Sequence, residues 1–169
     1  MYQKVMVPLD GSALAECVLP HVEAFLQSGV VKTVVFIRVV EPMPLMLYGE
    51  SVETFPVSGQ GEYFADKGEF WDKVEDDRKA AAAEYLDKVT SNLQQYGTQI
   101  QKEVLAGRVA DTLVNYADNN NVDLALIATH GRSGVSRWIM GSVADRLLHS
   151  SRSPVLIVRA ESCAPAGKA

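Results

Sequence analysis

Apolar and polar residues alternate along this chain in two distinct rhythms. Lys4–Leu9 (KVMVPL) is a short apolar run of the kind that forms a strand buried on both faces. Val30–Val40 (VVKTVVFIRVV) is rich in β-branched residues and predicts a second strand. Between them, Leu14, Cys17, Val18, Val22, Phe25 and Leu26 recur near helical spacing, so Ala13–Gln27 reads as a helix. Pro20 should kink or break it, and Ser28-Gly29 ends it. Glu41 to about Phe70 carries three prolines and four glycines without a clean period, and reads as a long loop or insertion. Asp72–Gln95 then reads as a helix, with Val74, Ala81, Tyr85, Val89 and Leu93 along one face and Gly97 closing it. Thr98–Leu105 predicts a third strand at a sheet edge. Arg108–Asn119 predicts a helix with Leu113, Val114, Tyr116 and Ala117 inward. Val122–Thr129 and Pro154–Val158 predict strands four and five, with an amphipathic helix between them that opens at Gly141-Ser142.

Strands alternating with helices predict an α/β fold: a single, open, doubly wound, parallel five-stranded sheet with helices on both faces. Residues 1–160 are expected to form one domain, with a frayed tail over 161–169. Ligands of such sheets bind beyond the carboxyl ends of the strands, where the strand order reverses. Three segments fall there: Pro8-Leu9-Asp10-Gly11-Ser12 after strand one, Arg38–Glu41 at the end of strand two, and Ala128-Thr129-His130-Gly131 after strand four. Gly141-Ser142 adds a helix start, whose free N–H groups and partial positive charge attract anions.

Charge and composition narrow the partners. The 169 residues are 47% hydrophobic and 22% charged, with a net charge of −5, which argues against nucleic acid as a partner. No apolar run approaches the ~20 residues of a membrane helix, and the opening MYQKVMVPLD lacks a signal-peptide pattern, so a cytoplasmic protein is expected. Cys17 and Cys163 form no disulfide framework, and His21, His130 and His149 have no metal-ligand spacing. The Walker pattern is absent, and VPLDGSALA after strand one has too few glycines for a dinucleotide fingerprint. A phosphorelay receiver would need an acidic cluster where Asp10 stands alone, and Ser142 lacks the surroundings of a hydrolase nucleophile.

VPLDGS at Val7–Ser12, ATHGRSGVSRWIMGS at Ala128–Ser142 and SPVLIVR at Ser153–Arg159 together resemble the universal stress protein family over residues 2–159. The nucleotide-binding branch of that family carries glycine, two residues, glycine, nine residues, then glycine with serine or threonine. Gly131 takes the second position, Arg132–Met140 are the nine, and Gly141-Ser142 closes the pattern, while Ala128 replaces the first glycine. The resemblance implies a Rossmann-like sheet of the adenine nucleotide alpha hydrolase type that binds ATP, with Mg2+ accompanying the triphosphate. It places Pro8, Leu9, Asp10 and Val39 at the adenine and ribose end, and Ala128, His130, Gly131, Arg132, Gly141, Ser142 and Val143 along the phosphates, with Arg137 as a further loop cation. It also implies a homodimer through the last strand, Pro154–Val158.

Plainer roles stand beside these. Asp10 could cap the first helix, Gly141-Ser142 could be a turn and cap, and His130 could be a hydrogen-bonding bystander. The expected function is that of an ATP-binding stress-response module for binding or signalling, without catalytic residues. The alternative is a nucleotide-free dimeric interaction protein of the same fold. A third reading is a slow ATPase, in which a bound triphosphate needs only a positioned water.

Overall fold

The computed structural model describes residues 1–42, 67–129 and 141–159. The elements run β1 (Tyr2–Pro8), α1 (Leu19–Gln27), β2 (Val31–Val40), α2 (Lys67–Thr90), β3 (Gln99–Ala106), α3 (Val109–Asn119), β4 (Leu124–Thr129), α4 (Ser142–Ser150) and β5 (Val155–Arg159). The strands form one sheet in the order β3-β2-β1-β4-β5, all parallel, with β3 and β5 at its edges. β1 is flanked by β2 on one side and β4 on the other, so the order reverses there, as the sequence predicted.

Side-chain alternation divides the core in two. Val5, Val7, Val34 and Phe36 pack against α1 and α2 with Val22, Leu26 and Leu86. Met6, Val35, Ile37, Ala125 and Ile127 pack against α3 and α4 with Leu113, Ala117, Ala144 and Leu147. The central strands are covered on both faces, which explains why their sequences are apolar throughout rather than alternating.

Some details differ from the sequence expectation. The first helical stretch is broken as Pro20 requires: Ala15–Val18 forms a 3-10 turn, and α1 then begins at Leu19 with the proline in its first turn, where its missing N–H is harmless. α2 begins at Lys67, ahead of the expected Asp72, so Phe70 and Trp71 belong to it, and Ser91–Tyr96 continues as a 3-10 turn. The buried stripe of α2 runs through Ala82 and Leu86 with Tyr85 and Val89 at its border, while Ala81 is exposed. A run of four alanines leaves that rotation open in the sequence. The remainder of the expected 41–70 loop and the expected tail lie outside the described residues.

Two phenols tie the layers together. The Tyr85 hydroxyl donates to Glu16 Oε1 at 3.1 Å, and that of Tyr116 to Glu103 Oε1 at 2.8 Å. Burial, reinforced by these carboxylates, raises both phenols well above the ordinary tyrosine pKa. Each therefore keeps its proton to higher pH in the folded chain than in the unfolded one. The stabilisation is complete below the unfolded value of about 10 and is lost as pH rises from there towards the folded value. The urea midpoint should fall between about pH 9 and 11, and fall less steeply in a Tyr85→Phe/Tyr116→Phe variant. Equal slopes would contradict the assignment.

Candidate functional site

The carboxyl ends of β1, β2 and β4 open into a cavity of about 210 Å³. Pro8, Leu9 and Asp10 enter it from the end of β1, Val39 from β2, Ala128 from β4, and Gly141, Ser142 and Val143 from the start of α4. These eight are the sequence-predicted site residues that the structure brings together. His130, Gly131 and Arg132, with Arg137, lie outside the described residues.

The β1–α1 turn shows how Asp10 is held. Asp10 Oδ1 accepts hydrogen bonds from the Ser12 backbone N–H at 2.8 Å and from Ser12 Oγ at 2.5 Å. Ser12 Oγ in turn accepts from the Ala15 N–H at 3.1 Å. Ser12, not Asp10, thus satisfies the free N–H of the first helical turn, and the aspartate is an Asx-turn residue. Its carboxylate is exposed, and Oδ2 makes no hydrogen bond among the described residues. An oriented acceptor therefore stands at the cavity wall.

The opposite wall is the start of α4. Gly141 is its N-cap, with φ −56° and ψ 144°, and no side chain caps the helix. The Ser142 hydroxyl is therefore not used as a helix cap, as one reading of the sequence had it. Gly141 N–H donates to Thr129 Oγ1 at 3.4 Å, a long bond that ties the helix start to the last residue of β4. The φ of Gly141 suits any residue, and a Cβ built there would meet Thr129 Oγ1 at 3.6 Å, an ordinary contact. Among the described residues nothing in the fold demands glycine at 141. Gly141 itself lines the cavity.

The sequence reading missed several walls. Ile37 and Ile127 supply apolar area from the strands, Leu14 does so from the segment after β1, and Val109 and Leu113 from α3. Ile37 and Leu113 were legible as core residues, but not Val109, nor that the start of α3 lies over the sheet end. Thr129, buried and polar, lies in the segment the sequence placed after strand four and lines the cavity as the last residue of β4. Beside the cavity, Glu41 Oε1 accepts from the Val109 N–H at 3.3 Å and so occupies the start of α3. Arg108 is hydrogen-bonded to Asp111, and Arg146 lies 3.3 Å from the same carboxylate. The Arg108 hydrogen bond, with the charges of both arginines, holds the Asp111 carboxyl below the usual range. Among the described residues no cluster of His, Cys, Asp or Glu could hold a metal, and no helix is long and apolar enough to cross a membrane.

The sequence is 27% identical over 159 residues to universal stress protein MJ0531 of Methanocaldococcus jannaschii, covering 94% of this chain and 83% of that one. It is 23% identical to universal stress protein MJ0577 of the same organism, covering 94% and 96%. The solved structure of MJ0577 superposes with a TM-score of 0.70 at 22% identity over 94% of this chain and 96% of that one. A universal stress protein in complex with cAMP superposes with a TM-score of 0.59 at 19% identity, over 94% and 98%. A universal stress protein family protein of Arabidopsis thaliana with AMP bound gives 0.57 at 13% identity, over 93% and 91%. The Usp family model, described as the universal stress protein family, matches residues 1–159. With the parallel sheet, the reversal at β1 and the helix start at Gly141-Ser142, that match shows that the chain belongs to the universal stress protein family.

Proposed function

We propose that the cavity at the sheet reversal binds an adenine nucleotide, ATP in the first instance, and that the chain works as a homodimeric stress-response module whose surface responds to nucleotide occupancy. The observation that carries this reading is the meeting of Asp10, Val39 and the uncapped start of α4 around one apolar cavity. The donor set fits the ligand. Leu9, Ile37, Val39 and Ile127 suit the faces of a purine. Asp10 offers an acceptor to an exocyclic amine or a ribose hydroxyl, and the N–H groups of Ser142 and Val143 suit phosphate oxygens. Mg2+ would accompany the triphosphate, ligated mainly by phosphate oxygens and water. The cAMP and AMP complexes of structural neighbours support the adenine class.

Calorimetric titration with Mg-ATP, with AMP, ADP and cAMP as competitors, tests the reading. Saturable binding displaced by the other adenine nucleotides is expected, and no heat at millimolar ATP would overturn it. We read the chain as a binding module rather than an enzyme, and a single-turnover measurement on bound ATP should show no hydrolysis on the timescale of release.

The dimer reading rests on β5. It is short, lies at the sheet edge, and leaves Val155, Leu156 and Ile157 only half-buried. A partly apolar open edge is suited to pairing with a second copy. Light scattering should give a dimer for the natural chain and a monomer for Val155→Lys/Ile157→Lys. A natural chain that stays monomeric at high concentration would remove this part.

A further inference from the structure

β2 turns Ile37 and Val39 towards α3 and α4, and Phe36 and Arg38 towards α2. Arg38 thus continues the stripe of Val34 and Phe36, both fully buried, with a cation. Its guanidinium carbon stands 5.1 Å from the centre of the Tyr85 ring, a cation–π contact that supports the charge from one side. Its Nη1 is buried and has no hydrogen-bond partner among the described residues. The same nitrogen presses on Gly11. A Cβ there would lie 2.4 Å from Nη1, and the φ of +83° already favours glycine.

A second cavity, of about 380 Å³, opens beside this guanidinium on the α2 side of β2. Arg78 of α2 lines it with Arg38, Gly11, Val40, Ala82 and Tyr85. Arg78 Nη1 donates to the Glu41 carbonyl at 2.9 Å, which uses one of its five donors. Neither guanidinium is ion-paired with a carboxylate among the described residues. Of the acids in the neighbourhood, Glu16 accepts from Tyr85, Asp10 Oδ1 accepts from Ser12, and Glu75, one turn before Arg78 on α2, pairs with Lys79 at 2.8 Å. Arg108 and Arg146 show the contrast, since both flank Asp111. Two guanidiniums that line one cavity with no carboxylate partner among the described residues present their remaining donors to an acceptor that enters it.

We propose that this cavity binds a small oxyanion, a phosphate or carboxylate group, held between the guanidiniums of Arg38 and Arg78. Planar, forked donors suit either group, and Tyr85 fixes the plane of one fork. The site lies on the other face of β2 from the nucleotide cavity and does not depend on that reading.

The test follows the arginine Nε–H resonances of isotope-labelled protein during titration with sodium phosphate, sodium acetate and, at matched ionic strength, sodium chloride. Arg38 and Arg78 should shift saturably with phosphate or acetate and not with chloride, and the two oxyanion arms tell the source apart. Arg78→Gln, on the helix surface, and Arg38→Gln should each weaken the affinity about tenfold, as loss of a charge-assisted bond does. Circular dichroism confirms folding, and Arg78→Gln carries the test if Arg38→Gln does not fold. Linear shifts that chloride reproduces would overturn the proposal. So would an unaltered affinity in Arg78→Gln, or displacement of phosphate by adenosine, which would move the anion to the nucleotide cavity.

Discussion

Replacing Gly141 by valine should abolish ATP binding while leaving the chain folded. The two halves of that expectation have separate grounds. Gly141 has an ordinary φ, and among the described residues an added Cβ meets only Thr129 Oγ1, at 3.6 Å, an ordinary contact. The fold should therefore survive. The cavity, however, is bounded by Gly141, Ser142 and Val143, and a ligand phosphate drawn to the free N–H groups must approach the backbone closely. Gly141→Ala should weaken ATP about tenfold, equivalent to roughly 1.4 kcal/mol, and Gly141→Val should remove binding. Calorimetry gives the affinities, and thermal unfolding gives the control. A valine variant that binds normally would show that the glycine serves no ligand. Gly11→Val is the opposite case: the φ of +83° is one that side chains rarely adopt, Arg38 Nη1 would have to move aside, and the expected damage is to the fold.

The largest loss of stability should follow Phe36→Ala. Phe36 is fully buried at the middle of β2, paired with β1 on one side and β3 on the other. It belongs to the core beneath α1 and α2 with Val5, Val7, Val34 and Leu86, all but closed to solvent. Strands on both sides leave little room for the cavity to collapse. The expected loss is about 3–5 kcal/mol, against a total of roughly 5–15 kcal/mol for a domain. Urea unfolding should show a sharply lower midpoint at an unchanged slope. A loss below about 1 kcal/mol would mean that the site repacks freely.

Much of the architecture was legible because its periodicities are strong. Apolar runs such as Lys4–Leu9 cannot be surface strands, and the runs around Met6, Val35 and Leu126 are indeed covered on both faces. The order of strands and helices then left few sheets to choose from, and Gly141-Ser142 marked the start of α4. Rotation and ends were harder. Alanines at 80–83 fit either face of a helix, so only packing selects Ala82. Gly68 hid the start of α2, because glycine beside Phe70 and Trp71 reads as loop. At the site, Asp10, Val39 and Ser142 were legible from their places at strand ends and a helix start. That Ser12 caps and Asp10 supports the turn was not, since both types favour caps. The contribution of Val109 and Leu113 depends on α3 lying over the sheet end, which no local pattern encodes. Arg38 sits in an apolar strand, and its meeting with Gly11 and Tyr85 joins three segments distant in sequence.

The most direct test of the account is a site-resolved titration: backbone amide resonances of the labelled chain followed as Mg-ATP is added. The amides of Asp10, Val39, Ser142 and Val143 should shift together and saturate at one dissociation constant, equal to that from calorimetry. If millimolar ATP leaves these four unmoved, or shifts instead only the amides around Arg108, Asp111 and Arg146, the crevice at the sheet reversal is not the nucleotide site.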